Sequence, residues 1–260
     1  MNIMVMGTGK VAESLLMRIS ESSCVNLFVS GRNEERLTYL SKKFHTHITY
    51  PQNFLQIPLD LVFLAVNDDV ISEKAKFFFD CSAVVCHLSG AAPLNSIPEK
   101  LKHRAVFYPL QTFARPQGVN WDEIPVFTQF SSERSKLILE HFSKIIRVNT
   151  YPTSDEERIK IHLCAVWINN FTRLIHLKAK MLCQEWKLNF TYFLPLILET
   201  HTIISETVED LPLTGPAARG DFKTLQNHFE CLDSNPEDLE LYKILSQYIY
   251  RLTKDKSVKS

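Results

Sequence analysis

Gly7-Thr8-Gly9-Lys10-Val11-Ala12 follows a short apolar run, Asn2–Met6, and precedes a segment of helical spacing. That is the setting a dinucleotide fingerprint requires. Gly7 would make the tight turn, Gly9 would let the backbone approach a pyrophosphate, and Ala12 would take the third small position. The helix start would offer unpaired N–H groups to phosphate. The alternative is a strand–helix turn that binds nothing. Val29-Ser30-Gly31-Arg32-Asn33 ends the second apolar run with no acid before Glu34. An acid there would bond a ribose 2′-hydroxyl, whereas Ser30 and Arg32 suit a 2′-phosphate, Arg32 in a charge-assisted pair. NADP is therefore expected ahead of NAD, unless Arg32 is merely solvated.

Ala65-Val66-Asn67-Asp68-Asp69 and His87-Leu88-Ser89-Gly90-Ala91 each close an apolar run with polar residues. In an open α/β sheet, ligands bind outside the carboxyl ends of the strands. Ala65, Val66, Asn67 and Asp68 would then border the nucleotide, and His87 and Ser89 the nicotinamide end. Asp68 and Asp69 could equally cap the helix at Ile71. Further on, His162 and Asn169 are seven residues apart and share a helix face, with Asn170 one residue round. Amides in an apolar helix need partners, because unpaired buried ones are costly. Leu213–Asp221 holds a Gly215-Pro216 turn, a cap at Asp221, and Arg219, which could bind an anionic substrate or clamp its own loop. Arg219-Gly220-Asp221 spells an adhesion tripeptide, discounted in a chain read as cytoplasmic.

The elements that must position these residues follow from periodicity. Strands are expected at Asn2–Met6, Val25–Ser30, Ile48–Tyr50, Leu59–Val66, Ala83–Leu88, Arg104–Tyr108, Pro125–Phe130 and Ile145–Val148. Helices at Val11–Ser20, Glu34–Phe44, Ile71–Phe79 and Glu133–Phe142 alternate with them. This pattern implies βαβ units and a mostly parallel sheet. From Ser154 to about Trp186 nothing breaks helix, and Ser154-Asp155-Glu156-Glu157 makes a good start. Apolar residues on more than one face mean burial on more than one face. Helices follow at Thr191–Thr207, Asp221–Cys231 and Pro236–Thr253, so an α/β domain at 1–151 gives way to an all-helical domain at 152–260.

Composition bounds the function. The 260 residues carry 29 basic and 29 acidic side chains, so no field-driven affinity for nucleic acid or membrane is expected. There is neither a signal-peptide pattern nor a run of ~18 apolar residues. The six cysteines form no Cys-x-x-Cys, which fits reduced thiols in a cytoplasmic protein and predicts no metal.

GTGKVAESL at 7–15, AVNDDVI at 65–71, HLSGA at 87–91, YPLQTF at 108–113, HLCAVWINNF at 162–171, LPLILET at 194–200 and LTGPAARGD at 213–221 carry a resemblance over nearly the whole chain. It resembles bacterial NADP oxidoreductases that join a Rossmann domain to a helical domain and are similar to deazaflavin-dependent NADP oxidoreductase. The wider superfamily holds pyrroline-carboxylate reductase, prephenate dehydrogenase and 6-phosphogluconate-type dehydrogenases. The resemblance implies a homodimer through the helical domain and a cleft closed over the nicotinamide, and the apolar residues on several faces of the helix at 154–186 make it the expected seam. Two departures stand out. The superfamily's catalytic Lys, four residues before an Asn, is replaced here by Ala165 or Val166, and the family's His before Pro-Leu-Gln is Tyr108. The expectation is an NADP-dependent oxidoreductase of a small anionic carbonyl or imine compound. His87, Tyr108, His162 and Asn170 would be catalytic, and Gln111, Thr214 and Arg219 would bind substrate. The rival expectation is a non-catalytic NADP-binding sensor, which the missing Lys would suit.

Overall fold

Alternating side chains build a sheet that is buried on both faces. In β1 (Asn2–Met6), Ile3 and Val5 enter one core cluster, while Met4 and Met6 enter another. The same alternation runs through β4 (Leu61–Leu64), with Leu61 and Phe63 on one side and Val62 and Leu64 on the other. Strands apolar on both faces suit a parallel sheet sandwiched by helices. The computed structural model describes residues 1–206 and 212–259. It shows one eight-stranded sheet in the order β3-β2-β1-β4-β5-β6-β7-β8. The remaining strands are β2 (Asn26–Ser30), β3 (His47–Ile48), β5 (Val84–His87), β6 (Arg104–Pro109), β7 (Pro125–Phe130) and β8 (Asn149–Pro152). Among the described residues, only the β6–β7 pairing is antiparallel. The strand order reverses between β1 and β4, so the architecture is Rossmann-like and its switch point lies there.

Helix α1 (Lys10–Ser20) buries Ala12, Leu15, Leu16 and Ile19, and α2 (Glu34–Phe44) buries Leu37, Leu40 and Phe44. Each such side chain contributes ~1.5–3 kcal/mol by leaving water. A short α3 (Ile71–Ala75) continues as a 3-10 turn, Lys76–Phe78, and α4 is Glu133–Ile145. Phe63, Phe107 and Phe142 meet between sheet and α4, with ring centroids 4.9–5.5 Å apart. The expected strand at Ile145–Val148 is not one. Ile145 ends α4, Arg147 turns with φ 53°, and the strand starts at Asn149. Buried helix and buried strand are both apolar over so short a run, and only the turn separates them.

The expected unbroken helix from Ser154 has three parts: α5 (Asp155–Ala165), a π-helical turn at Val166–Phe171, and α6 (Thr172–Glu185). Ser154 and Glu157 form a full capping box at its start. After a 3-10 turn at Phe190–Phe193 come α7 (Leu194–Glu206), α8 (Pro216–Arg219), α9 (Phe222–Cys231) and α10 (Pro236–Lys259). Thr207, the expected last residue of α7, lies outside the described residues. Asp221 caps α9 as its sequence suggests, accepting from Thr224 N–H.

The chain divides into two compact units, Met1–Lys178 and Ala179–Ser260. Strands stop near the expected boundary at 151/152, but α5 belongs with the sheet. Its Arg158 is the largest fully buried side chain and donates to Gln129 Oε1 and Ala92 O at 2.6 and 2.7 Å. A buried guanidinium with these partners ties helix to sheet in a way that composition does not announce.

Candidate active site

The end of β1 turns so tightly that only glycine fits at position 7. Its φ is +137°, and an added Cβ would overlap the carbonyl of Ala65 at the end of β4. Gly31 is needed for a different reason: a Cβ there would meet Thr8 Cγ2 at 2.6 Å. Around Gly9, by contrast, a Cβ would meet nothing within 4 Å. Gly9 is the N-cap of α1 with no side-chain cap, so the first N–H groups of α1 have no capping side chain. The loop is held from behind. Arg36 donates to Thr8 O at 3.3 Å and pairs with Glu13, which Lys43 also reaches. Those two cations hold the nearly buried Glu13 carboxyl below its usual range despite burial.

These elements line a cleft of about 790 Å³. Of the expected nucleotide residues, Gly7, Thr8, Gly9, Ser30, Gly31, Arg32, Ala65, Val66 and Asn67 line it. Lys10 and Val11 open α1 beside it, and Ala12 is buried under the turn. Asp69, in the 3-10 turn before α3, also lines the cleft, as do Glu73, Lys74 and Phe77, brought there by α3 and the turn after it. Lys74 pairs with Glu73 at 2.7 Å and holds its carboxyl below the usual range. No local spacing announced that an acid and a lysine forty residues beyond Arg32 would share its cleft. The open space at Gly9, the uncapped helix start and the cations at the far end fit a dinucleotide phosphate chain.

A second row of groups continues along the same sheet edge. Ser89 Oγ donates to Asp68 Oδ2 at 2.7 Å and accepts from Ala91 and Ala92 N–H. Asp68 and Ser89 therefore hold each other and do not line the cleft. Gly90 comes next, and a Cβ on it would meet Tyr108 Cζ at 2.6 Å and His162 Nδ1 at 2.8 Å. Across that glycine, Tyr108 Oη and His162 Nδ1 lie 3.2 Å apart. Tyr108 comes from β6 and His162 from α5, 54 residues later. Burial raises the Tyr108 phenol above its ordinary value, so it keeps its proton at neutral pH. In sequence, Gly90 stands only within the polar stretch His87–Ala91 that closes an apolar run, with nothing to mark its close approach to Tyr108 and His162.

His87 is not part of this opening. It is fully buried, its Nε2 facing Pro93 O at 3.3 Å and its Nδ1 accepting from Ser89 N–H at 3.2 Å. Burial, reinforced by the Arg158 charge, lowers its pKa to about 4. It is a neutral strut beneath the Ser89–Pro93 turn, and the expectation of a catalytic His87 is corrected accordingly. Asn170 stands eight residues beyond His162, inside the π-helical turn. A π turn advances each residue by ~80° against ~100° in an α-helix. The lag brings Asn170, not Asn169, back to the azimuth of His162. Asn169 Nδ2 donates to Asn170 Oδ1 at 3.1 Å, which leaves the Asn170 amide N–H groups to point elsewhere. Gln111 stands three residues beyond Tyr108, its side chain accepting from Thr112 N–H. Thr214 and Arg219 are exposed beside and on α8, in the second compact unit. No three or more His, Cys, Asp or Glu among the described residues are grouped to hold a metal ion. No helix among them is long and apolar enough to cross a membrane.

Comparison with known proteins agrees with this geometry. Residues 2–78 match the family model described as NADP oxidoreductase coenzyme F420-dependent, and residues 124–249 match a domain of unknown function, DUF2520. Among solved structures, the chain is similar to a candidate NADP oxidoreductase of Bacteroides fragilis. They share 29% identity and a TM-score of 0.86, over 96% of this chain and 98% of that one. A protein of Thermotoga maritima is 20% identical with a TM-score of 0.72, covering 98% and 99%. A pyrroline-5-carboxylate reductase of Coxiella burnetii shares the fold at 17% identity and a TM-score of 0.58, covering 98% and 97%. No curated protein matches the sequence. The cleft, the sheet order and these likenesses agree with an oxidoreductase of the NAD(P)-binding kind, in which residues 2–78 are similar to an NADP oxidoreductase domain and residues 124–249 to DUF2520.

Proposed function

We propose that the protein reduces a small anionic carbonyl or imine compound with NADPH, using Tyr108 and His162 as the proton source. The observation that carries this reading is the 3.2 Å contact between Tyr108 Oη and His162 Nδ1 over Gly90, at the sheet edge where the glycine cleft also opens. Gly7 and Gly9 would admit the pyrophosphate, and Ser30 and Arg32, with Lys74 nearby, the 2′-phosphate. The nicotinamide, when bound, supplies the hydride. Tyr108 holds a proton at Oη, and His162 can replace it from behind. Asn170 would orient the substrate oxygen or nitrogen through its amide N–H groups. The pair thus occupies the role left open by Ala165 and Val166. Pyrroline-5-carboxylate is itself a cyclic imine bearing an acid, and the fold shared with its reductase favours this class of substrate.

We further propose a homodimer built on the helix from 154 to 186. Leu163, Trp167 and Ile168 are 56, 61 and 75% exposed there, too apolar a row to stay in water. Six unpaired cysteines suit work in the cytoplasm. The test is a screen of small carbonyl and imine compounds, followed by NADPH absorbance. Tyr108→Phe should lower turnover by about 10²–10⁴-fold with NADPH affinity unchanged. Tight NADPH binding without turnover of any compound would favour the sensor, and equal turnover by Tyr108→Phe would remove the proposed proton source.

A further inference from the structure

The loop after β6 builds a second concavity that the nucleotide cleft does not use. Gln111, Thr112 and Arg115 enclose it with Arg173 from the first turn of α6, and its volume is about 390 Å³. Among the described residues, no acidic side chain lines it. Arg18, Arg36, Arg104 and Arg158 all have carboxylate partners, but neither Arg115 nor Arg173 forms an ion pair among the described residues. Two guanidiniums facing one hollow without a counter-charge favour an anion between them, which each can grip through a planar fork.

The loop that carries Arg115 is pinned. Phe113 is buried against Trp121, with ring centroids 5.8 Å apart. Trp121 Nε1 donates to Ser14 Oγ on α1 at 3.1 Å, and Leu110 N–H donates to Pro125 O at 3.0 Å. The hollow is therefore anchored to the helix that opens at the glycine turn, and preorganised sites lose less entropy on binding. It begins three residues after Tyr108, at the carboxyl end of a strand parallel to β5.

We propose that Arg115 and Arg173 hold the acid group, a carboxylate or a phosphate, of the molecule reduced at Tyr108. This rests on the reading of Tyr108 given above. It moves recognition of the anion away from Arg219, whose charge acts on Asp221 of its own loop.

The experiment is calorimetric titration of the full chain with malonate and, separately, inorganic phosphate, each with and without saturating NADP. Saturating NADP fills the nucleotide's own phosphate sites. Wild type should bind at least one probe, and the preferred probe distinguishes a carboxylate from a phosphoryl group. Arg115→Gln and Arg173→Gln should each weaken that probe about tenfold or more while NADP affinity stays unchanged. The double variant should lose less than the two single losses combined, because both forks grip one anion. Arg115→Lys and Arg173→Lys, which keep charge but lose the fork, should fall between. Both arginines are exposed, so the variants should fold as wild type does, checked by circular dichroism. Absence of binding at millimolar probe, or equal binding by wild type and the Gln variants, overturns the proposal. Failure of wild type to bind NADP would instead overturn the oxidoreductase reading, and the titrations without NADP would still report on the anion site.

Discussion

At the scale of single residues, the chemistry divides between groups that face the cleft and groups that hold it. Arg32 faces it, at the end of β2 and beside no acid in sequence. Arg32→Ala should weaken NADP by roughly ten- to a hundredfold, the value of one or two charge-assisted bonds, and spare NAD. Titration of both cofactors decides, and equal weakening would show that Arg32 does not read the 2′-phosphate. His87 holds the cleft. Its pKa of about 4 in the fold lies below the ~6.5 of an unfolded chain. The unfolded state therefore binds the extra proton between those values, and the stability His87 lends is complete above pH ~6.5 and lost as pH falls toward 4. The loss is on the order of 3 kcal/mol. Urea unfolding of wild type and His87→Asn across that range should show a steeper fall for wild type, and parallel curves would refute the buried neutral imidazole.

At the scale of elements, the π turn at Val166–Phe171 matters most. Such turns are rare and often sit at functional sites, because the extra residue re-aims side chains. In a plain α-helix Asn169 would share the face of His162, as the sequence alone suggests. The π turn hands that place to Asn170. Asn170→Ala should then reduce turnover well beyond Asn169→Ala, with NADPH affinity the same in both. The reverse order in steady-state assays would mean that the phase argument fails. Arg158 is the other element-scale device, joining α5 to β7 through Gln129 and to the Ser89–Pro93 turn through Ala92 O.

At the scale of the whole molecule, the apolar row on the long helix calls for a cover. Two-fold dimers with self-complementary patches are the commonest homo-oligomers. Light scattering at micromolar concentration should give twice the single-chain 30.0 kDa. Phe171→Glu, which would bury a charge on both sides of the axis, should give aggregated protein rather than a stable monomer. A clean single-chain mass for wild type would refute the dimer.

The residues themselves determined the sheet and the glycine turn. Gly7, Gly9 and Ala12 follow a strand and open a helix, and apolar runs alternate with helical spacing along the first 150 residues. Such signals are local, set by how successive side chains point, and so they are legible in one dimension. Even there, Ile145–Val148 misled, because three apolar residues around Arg147 are too short a run to carry a period. What brings distant groups together is not local. Tyr108 meets His162 only because β6 and α5 pack on either side of Gly90, and Glu73 and Lys74 reach the cleft of Arg32 only through the path of α3. Arg115 and Arg173, unremarkable in sequence, share a hollow because Phe113 and Trp121 pin a loop. His87, polar at a strand end, looked available, and only burial removed it. Side-chain meetings of this kind depend on strand order, loop path and helix phase, which the tertiary structure decides as a whole.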